Sequence, residues 1–206
     1  MIKKVWTDTT KQWRHIVSHL STEKQKRIKD RVTKNILDHL PDNIYSVLDW
    51  GCGGGLISQL FSDKGYVVYV VDLIQDSLDS AVNYASNIQF QQLLPEDPDK
   101  IYYRGPKPKL IFCNEVIQHF PSYEYFIKIL SIWTEQIKPE YIAIQVKLNE
   151  KTKQAQDYEK NYLNGLLFNE DDLLKNFSNK GYKVSVTNYS ETLAGIPMGY
   201  YIFKKL

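Results

Sequence analysis

The chain has 206 residues, 43% hydrophobic and 24% charged, with a net charge of +2, which suits one domain spanning 1–206 with a full apolar core. That composition excludes a disordered chain, and so small a net charge argues against nucleic acid or an anionic membrane as the main partner. Two cysteines, Cys52 and Cys113, form no CxxC pair or Cys/His cluster, so neither a disulfide framework nor a metal site is expected.

Free thiols suit a reducing compartment. The start of the chain has no apolar leader and no apolar run reaches membrane-spanning length, so a cytoplasmic location is expected.

Residues 10–40 read as helix, stopped by Pro41-Asp42-Asn43, with a fresh start at Ser21-Thr22-Glu23 that divides it into two pieces. Residues 1–43 thus form an N-terminal helical cap. Ile28, Val32, Ile36, Leu37 and Leu40 share one face, and the basic run 24–31 reads as a solvated one. A first strand is predicted over 45–50, a helix over 54–64 closed by Gly65, and a β-branched second strand over 66–71. Asp76 is expected to cap a helix over 77–86.

A short third strand spans 88–93, and a proline-rich connection leads to a fourth at 110–114. A helix follows Pro121 and runs to about 137, then a fifth strand at 141–147. Residues 149–168 look like an insertion on the substrate side, polar and rich in Lys, Gln, Asn and Tyr up to 165. Last come a helix over 169–180 and two alternating strands, 182–189 and 199–204, joined as an antiparallel hairpin. Alternating strands and helices imply a doubly wound, Rossmann-like α/β sheet of seven strands.

The turn after the first strand carries the strongest signal. Val47-Leu48-Asp49-Trp50-Gly51-Cys52-Gly53-Gly54-Gly55-Leu56 sets glycines at alternate positions between a strand and a helix. Such a turn lets backbone approach a ligand. It does not satisfy the dinucleotide fingerprint, since Leu56 or Ser58 stands where the third glycine belongs. The pattern Asp-x-Gly-x-Gly-x-Gly instead resembles the first motif of class I S-adenosylmethionine (SAM) methyltransferases. A second resemblance lies in Ile111-Phe112-Cys113-Asn114-Glu115-Val116-Ile117-Gln118-His119-Phe120-Pro121, which is similar to the strand-four motif of the small-molecule members of that family.

The resemblance implies SAM as cofactor, and it assigns roles. Gly51, Cys52, Gly53 and Gly55 belong to the loop on its amino-acid and ribose part. Asp49 orients the loop, meets the ligand's ammonium, or is a carboxylate bonded to nearby amides. Asp72 ends the second strand, where an acid accepts ribose hydroxyls, and Leu73 packs on the adenine. Glu96 is a candidate for the adenine amine. Asn114 meets the methionine end, Glu115 faces the cofactor or the acceptor, and Arg14 pairs with the ligand carboxylate.

His119 either takes a proton from an acceptor hydroxyl or serves only in packing. No metal residues are assigned. Tyr158 and Tyr162 lie beside the expected acceptor side, as does the loop 190–198. The expected activity is O-methylation of a small polar or sugar-type acceptor. The alternatives are an NAD-linked oxidoreductase and a non-catalytic SAM-binding regulatory or scaffold protein.

Overall fold

The computed structural model describes residues 21–148, 166–191 and 197–206. Arg14, Tyr158, Tyr162 and most of the loop 190–198 lie outside the described residues.

Helix α1, Thr22–Asn35, starts where Ser21 accepts a hydrogen bond from the Lys24 amide at 3.3 Å. It stops short of the expected residue 40. The β-branched Ile36 leaves helical geometry, and a 3-10 turn, Leu37–His39, completes the segment. Strand β1, Ser46–Trp50, is buried along its whole length. Helix α2, Leu56–Asp63, closes as glycine chemistry dictates: Gly65 takes φ 87°, and the Gly65 and Tyr66 amides bond back to Ser62 and Phe61.

Strand β2, Val67–Asp72, leads to helix α3, Gln75–Tyr84. The expected cap is corrected here. Asp76 lies within the first turn, Ile74 is the cap residue, and the carboxylate of Asp72 takes the Ile74 amide. Strand β3, Ile88–Leu93, and strand β4, Leu110–Cys113, complete the first half of the sheet. Helix α4, Tyr123–Ser131, is capped by Ser122, and its continuation Ile132–Ile137 widens into π geometry before Lys138 turns left-handed.

Strand β5, Tyr141–Leu148, is followed by β6, Leu167–Phe168, a two-residue strand too short to show a pattern. Helix α5, Glu170–Asn179, and strands β7, Tyr182–Glu191, and β8, Pro197–Lys205, finish the chain. Among the described residues seven strands form the expected path, and the two-residue β6 pairs at its side as an eighth. The order is β3-β2-β1-β4-β5-β8-β7, with β6 parallel to β5 and β8 antiparallel to both neighbours.

Each sheet face has its own core. Phe61, Phe112, Val32 and Met198 mark the face under α1, α2 and α3, whereas Trp133, Phe126, Phe177 and Phe203 mark the face under α4 and α5. On the latter, Phe177 and Phe203 stack at 3.7 Å, and Trp50 meets Trp133 edge-on at 5.6 Å. The topological switch falls between β1 and β4, so a crevice opens beyond their carboxyl ends.

Candidate active site

At that crevice the three glycines of the turn take different tasks. All have positive φ, at 76°, 50° and 86° for Gly51, Gly53 and Gly55. A Cβ on Gly51 would sit 2.6 Å from the Val116 side chain, and one on Gly55 would sit 2.6 Å from the Ala81 backbone in α3. At Gly53 a Cβ would meet nothing within 4 Å. Gly51 thus seats the turn against the loop after β4, and Gly55 seats α2 against α3. Gly53 is the open one, and with Gly51, Cys52 and Gly54 it lines a cavity of about 350 Å³, a volume typical of small-molecule sites.

Asp72, Leu73, Asn114, Glu115 and His119 line the same cavity, so elements separated in the chain converge there. Asp72 accepts the amides of Gly53 and Ile74, both at 3.0 Å, and so braces the glycine turn against the start of α3. Burial pushes its carboxyl above the ordinary range, and the amide donors partly offset this. Asn114 turns a buried Oδ1 toward no hydrogen-bond partner. Glu115 stands at φ 58°, its amide donating to Gln145 Oε1 at 2.8 Å and its carboxylate paired with Arg31 of α1. His119 ends the 3-10 turn Ile117–His119, whose first residue is fully buried.

Three expected cofactor residues are not among those lining the cavity: Asp49, Gly55 and Glu96. Asp49 is buried and accepts the Ser58 hydroxyl at 2.6 Å. Glu96 offers its backbone carbonyl to the Tyr125 hydroxyl at 3.2 Å. The solvated reading of 24–31 is also corrected: Ile28 lines the cavity and Arg31 reaches Glu115, while Lys24, Lys26 and Arg27 stay exposed.

Trp50, Ile101, Phe120, Tyr125 and Ile129 complete an apolar wall that the sequence reading missed. Trp50 and Phe120 stood inside the two motifs without a ligand role, and Ile101, Tyr125 and Ile129 belonged to neither. Cys52 and Cys113 are buried, and burial pushes both thiols well up, so neither is primed as a nucleophile. Among the described residues there is no group of metal-ligating side chains and no helix long and apolar enough to cross a membrane.

Asp49 carries a pH prediction. Burial raises its carboxyl from 3.8 to about 7, against a lowering by Ser58, and the nearby Asp72 charge adds to the rise. The folded state therefore holds this proton more tightly than the unfolded chain. The stabilisation is complete below pH 4 and is lost as pH rises through about 7. At about 1.4 kcal/mol per pH unit the ionised form weakens the fold by a few kcal/mol. Asp49→Asn, permanently neutral, raises Tm over the parent at pH 8 and leaves it unchanged at pH 4. Unfolding curves that stay parallel across this range refute the assignment.

The donors and acceptors fit a ribose-bearing, cationic cofactor. Asp72 keeps acceptor capacity beyond its two amide bonds, Asn114 Oδ1 has no partner, and Gly53 leaves open backbone beside them.

Comparison with known proteins gives the same direction. A family model described as a methyltransferase domain matches residues 5–185. The ubiquinone biosynthesis O-methyltransferase of Rickettsia typhi is 30% identical over 162 residues, 76% of this chain and 57% of that protein. Its counterpart in Rickettsia conorii is 35% identical over 115 residues, 53% and 36% of the respective chains. The chain spans about half the length of the curated relatives it matches.

Among solved structures, magnesium protoporphyrin IX methyltransferase from Synechocystis, with bound S-adenosylhomocysteine, shares the fold at TM-score 0.68 and 18% identity over 97% of this chain and 95% of that one. A Burkholderia thailandensis 1,6-didemethyltoxoflavin-N1-methyltransferase does so at 0.70 and 15%, covering 99% and 87%. The NAD-linked alternative falls away with these matches. The chain belongs to the methyltransferase-domain family.

Proposed function

We propose that this protein O-methylates a small hydroxylated acceptor and that His119 receives the hydroxyl proton. The observation that carries this reading is His119 itself, the one imidazole among the described residues lining the cavity that also holds Asp72, Asn114 and Glu115. The names of the Rickettsia relatives support oxygen as the methylated atom.

SAM supplies the methyl group as an activated sulfonium. Asp72 and the Gly53 backbone would hold its ribose side, Leu73 and the apolar wall its adenine, and Asn114 and Glu115 its methionine end. Asp49 acts from behind, keeping α2 and the glycine turn in register through Ser58. His119 takes a proton that an acceptor hydroxyl must lose, and proximity in a confined cavity contributes the larger part of the acceleration. An imidazole suits that task near neutral pH. Sugar-type acceptors and hydroxylated intermediates of ubiquinone biosynthesis are the two classes to screen, the second on the strength of the relatives' names.

The test has two steps. SAM and S-adenosylhomocysteine, but not NAD or NADP, raise Tm by linkage. With an acceptor found from the panel, His119→Ala lowers kcat by about a hundred- to ten-thousandfold and shifts S-adenosylhomocysteine affinity by less than about threefold (~0.7 kcal/mol). Turnover at the parent level reduces His119 to packing. Binding without turnover on any acceptor favours a regulatory protein.

A further inference from the structure

Gln145 is out of place by composition. Strand β5 is otherwise apolar and buried apart from Lys147 near its end, yet at its centre stands an amide that is only 1% exposed. Alternation puts Gln145 on the sheet face of Tyr141 and Ala143, which packs with α1 and α2. An apolar residue there would fill the same space without the cost of burying an amide. What the amide does is specific: Oε1 accepts the Glu115 amide at 2.8 Å, and Nε2 reaches Met198 Sδ at 3.4 Å, a weak acceptor that leaves Oε1 correctly turned.

Glu115 needs that bond. Its φ of 58° costs a residue with a Cβ about 1–2 kcal/mol. The distortion lies within Asn114-Glu115-Val116, all three of which line the cavity, and Val116 is the residue that packs on Gly51. Without an acceptor for its amide the peptide would relax toward negative φ, turning Asn114 and Glu115 and unseating Val116 from the glycine turn. The Arg31 pair holds the Glu115 side chain, but it is partly exposed at 33% and 43% and so contributes little by itself. The restraint on the main chain comes from inside the sheet.

We propose that Gln145 is a positioning residue of the cofactor site: it touches no ligand, and it fixes the left-handed Glu115 peptide that presents Asn114 and Glu115 to the cavity. The inference rests on the SAM-binding reading of that cavity.

The test uses S-adenosylhomocysteine and calorimetry at pH 6.5 on the full chain. Gln145→Met keeps shape and removes the acceptor. Gln145→Glu keeps it, because a carboxyl buried at this depth takes up a proton and still offers its carbonyl oxygen. The expected result is at least tenfold weaker binding by Q145M and binding within threefold of the parent by Q145E, measured well below either Tm. Amide exchange at Glu115 should be slow in the parent and in Q145E and fast in Q145M.

Should Q145M not fold, Gln145→Asn, which withdraws the amide by one carbon, is read in the same way. Equal affinity of Q145M and parent, or equal loss in Q145M and Q145E, overturns the positioning role. A parent that does not bind S-adenosylhomocysteine overturns the cofactor reading instead.

Discussion

Gly55→Ala destabilises the protein by about 2–5 kcal/mol, the sum of a left-handed residue gaining a Cβ and of overpacking between two helices. Gly55 has φ 86°, and the new methyl carbon would sit 2.6 Å from Ala81 Cα and 3.2 Å from its carbonyl oxygen. These are backbone atoms of α3, so no side chain can swing away. Relief requires α2 and α3 to part, which opens the core beneath Leu56, Phe61 and Leu78. Gly53→Ala is the control: its φ is also positive, but the methyl group enters open space, so only the backbone cost of about 1–2 kcal/mol remains. That methyl group instead enters the cavity, and the variant should lose S-adenosylhomocysteine affinity while keeping most of its stability. Urea unfolding of the two variants decides. A Gly55→Ala protein within 1 kcal/mol of the parent (~2-fold below the lower bound) refutes the packing role.

Asp72→Ala weakens S-adenosylhomocysteine binding by at least tenfold, or 1.4 kcal/mol, and the expected loss is nearer a hundredfold. Two effects combine. The ligand loses a carboxylate, and the Gly53 and Ile74 amides lose the acceptor that holds the turn at 3.0 Å. Hydrogen bonds to a charged group are worth about 1.5–3 kcal/mol each. Asp72→Asn separates the effects in part, since one oxygen remains while the new amide faces a backbone donor.

The direction with pH follows from burial. The Asp72 carboxyl is raised above its ordinary value, so in the free protein the carboxylate form is lost earlier than usual as pH falls. Affinity therefore declines on the acid side in the parent and is insensitive to this group in Asp72→Ala. Calorimetry at two pH values measures both. Unchanged affinity on substitution removes Asp72 from the ligand.

Local rules carried much of the site. The glycine turn, Asp72 at the end of β2 and the Asn114–His119 run were all legible, because a strand ending in a tight turn and an acid at a strand end are patterns of near neighbours. The third strand matched residue for residue at Ile88–Leu93, since its bounds are set by turn residues. Asp76 misled: it has the chemistry of a cap, yet the helix starts at Gln75 with Ile74 as its cap residue, so Asp76 falls inside the first turn. The Glu96 assignment came from the family resemblance, and there the Tyr125 hydroxyl holds that loop to α4.

By itself the sequence determined the alternation of strands and helices and the ligand edge of the sheet, which follow from periodicity and from residue types within a few positions of one another, while the class of cofactor came from the resemblance of two short motifs to a known family. Only the tertiary structure decided which glycine faces the cavity and which faces Ala81, that Asp49 answers to Ser58, and that Arg31 and Gln145 both secure Glu115 from 84 and 30 residues away. The reason is physical. A helical or strand pattern tells which face a residue shares, but partners across the sheet are chosen by how the layers pack, and that information is spread over the whole chain.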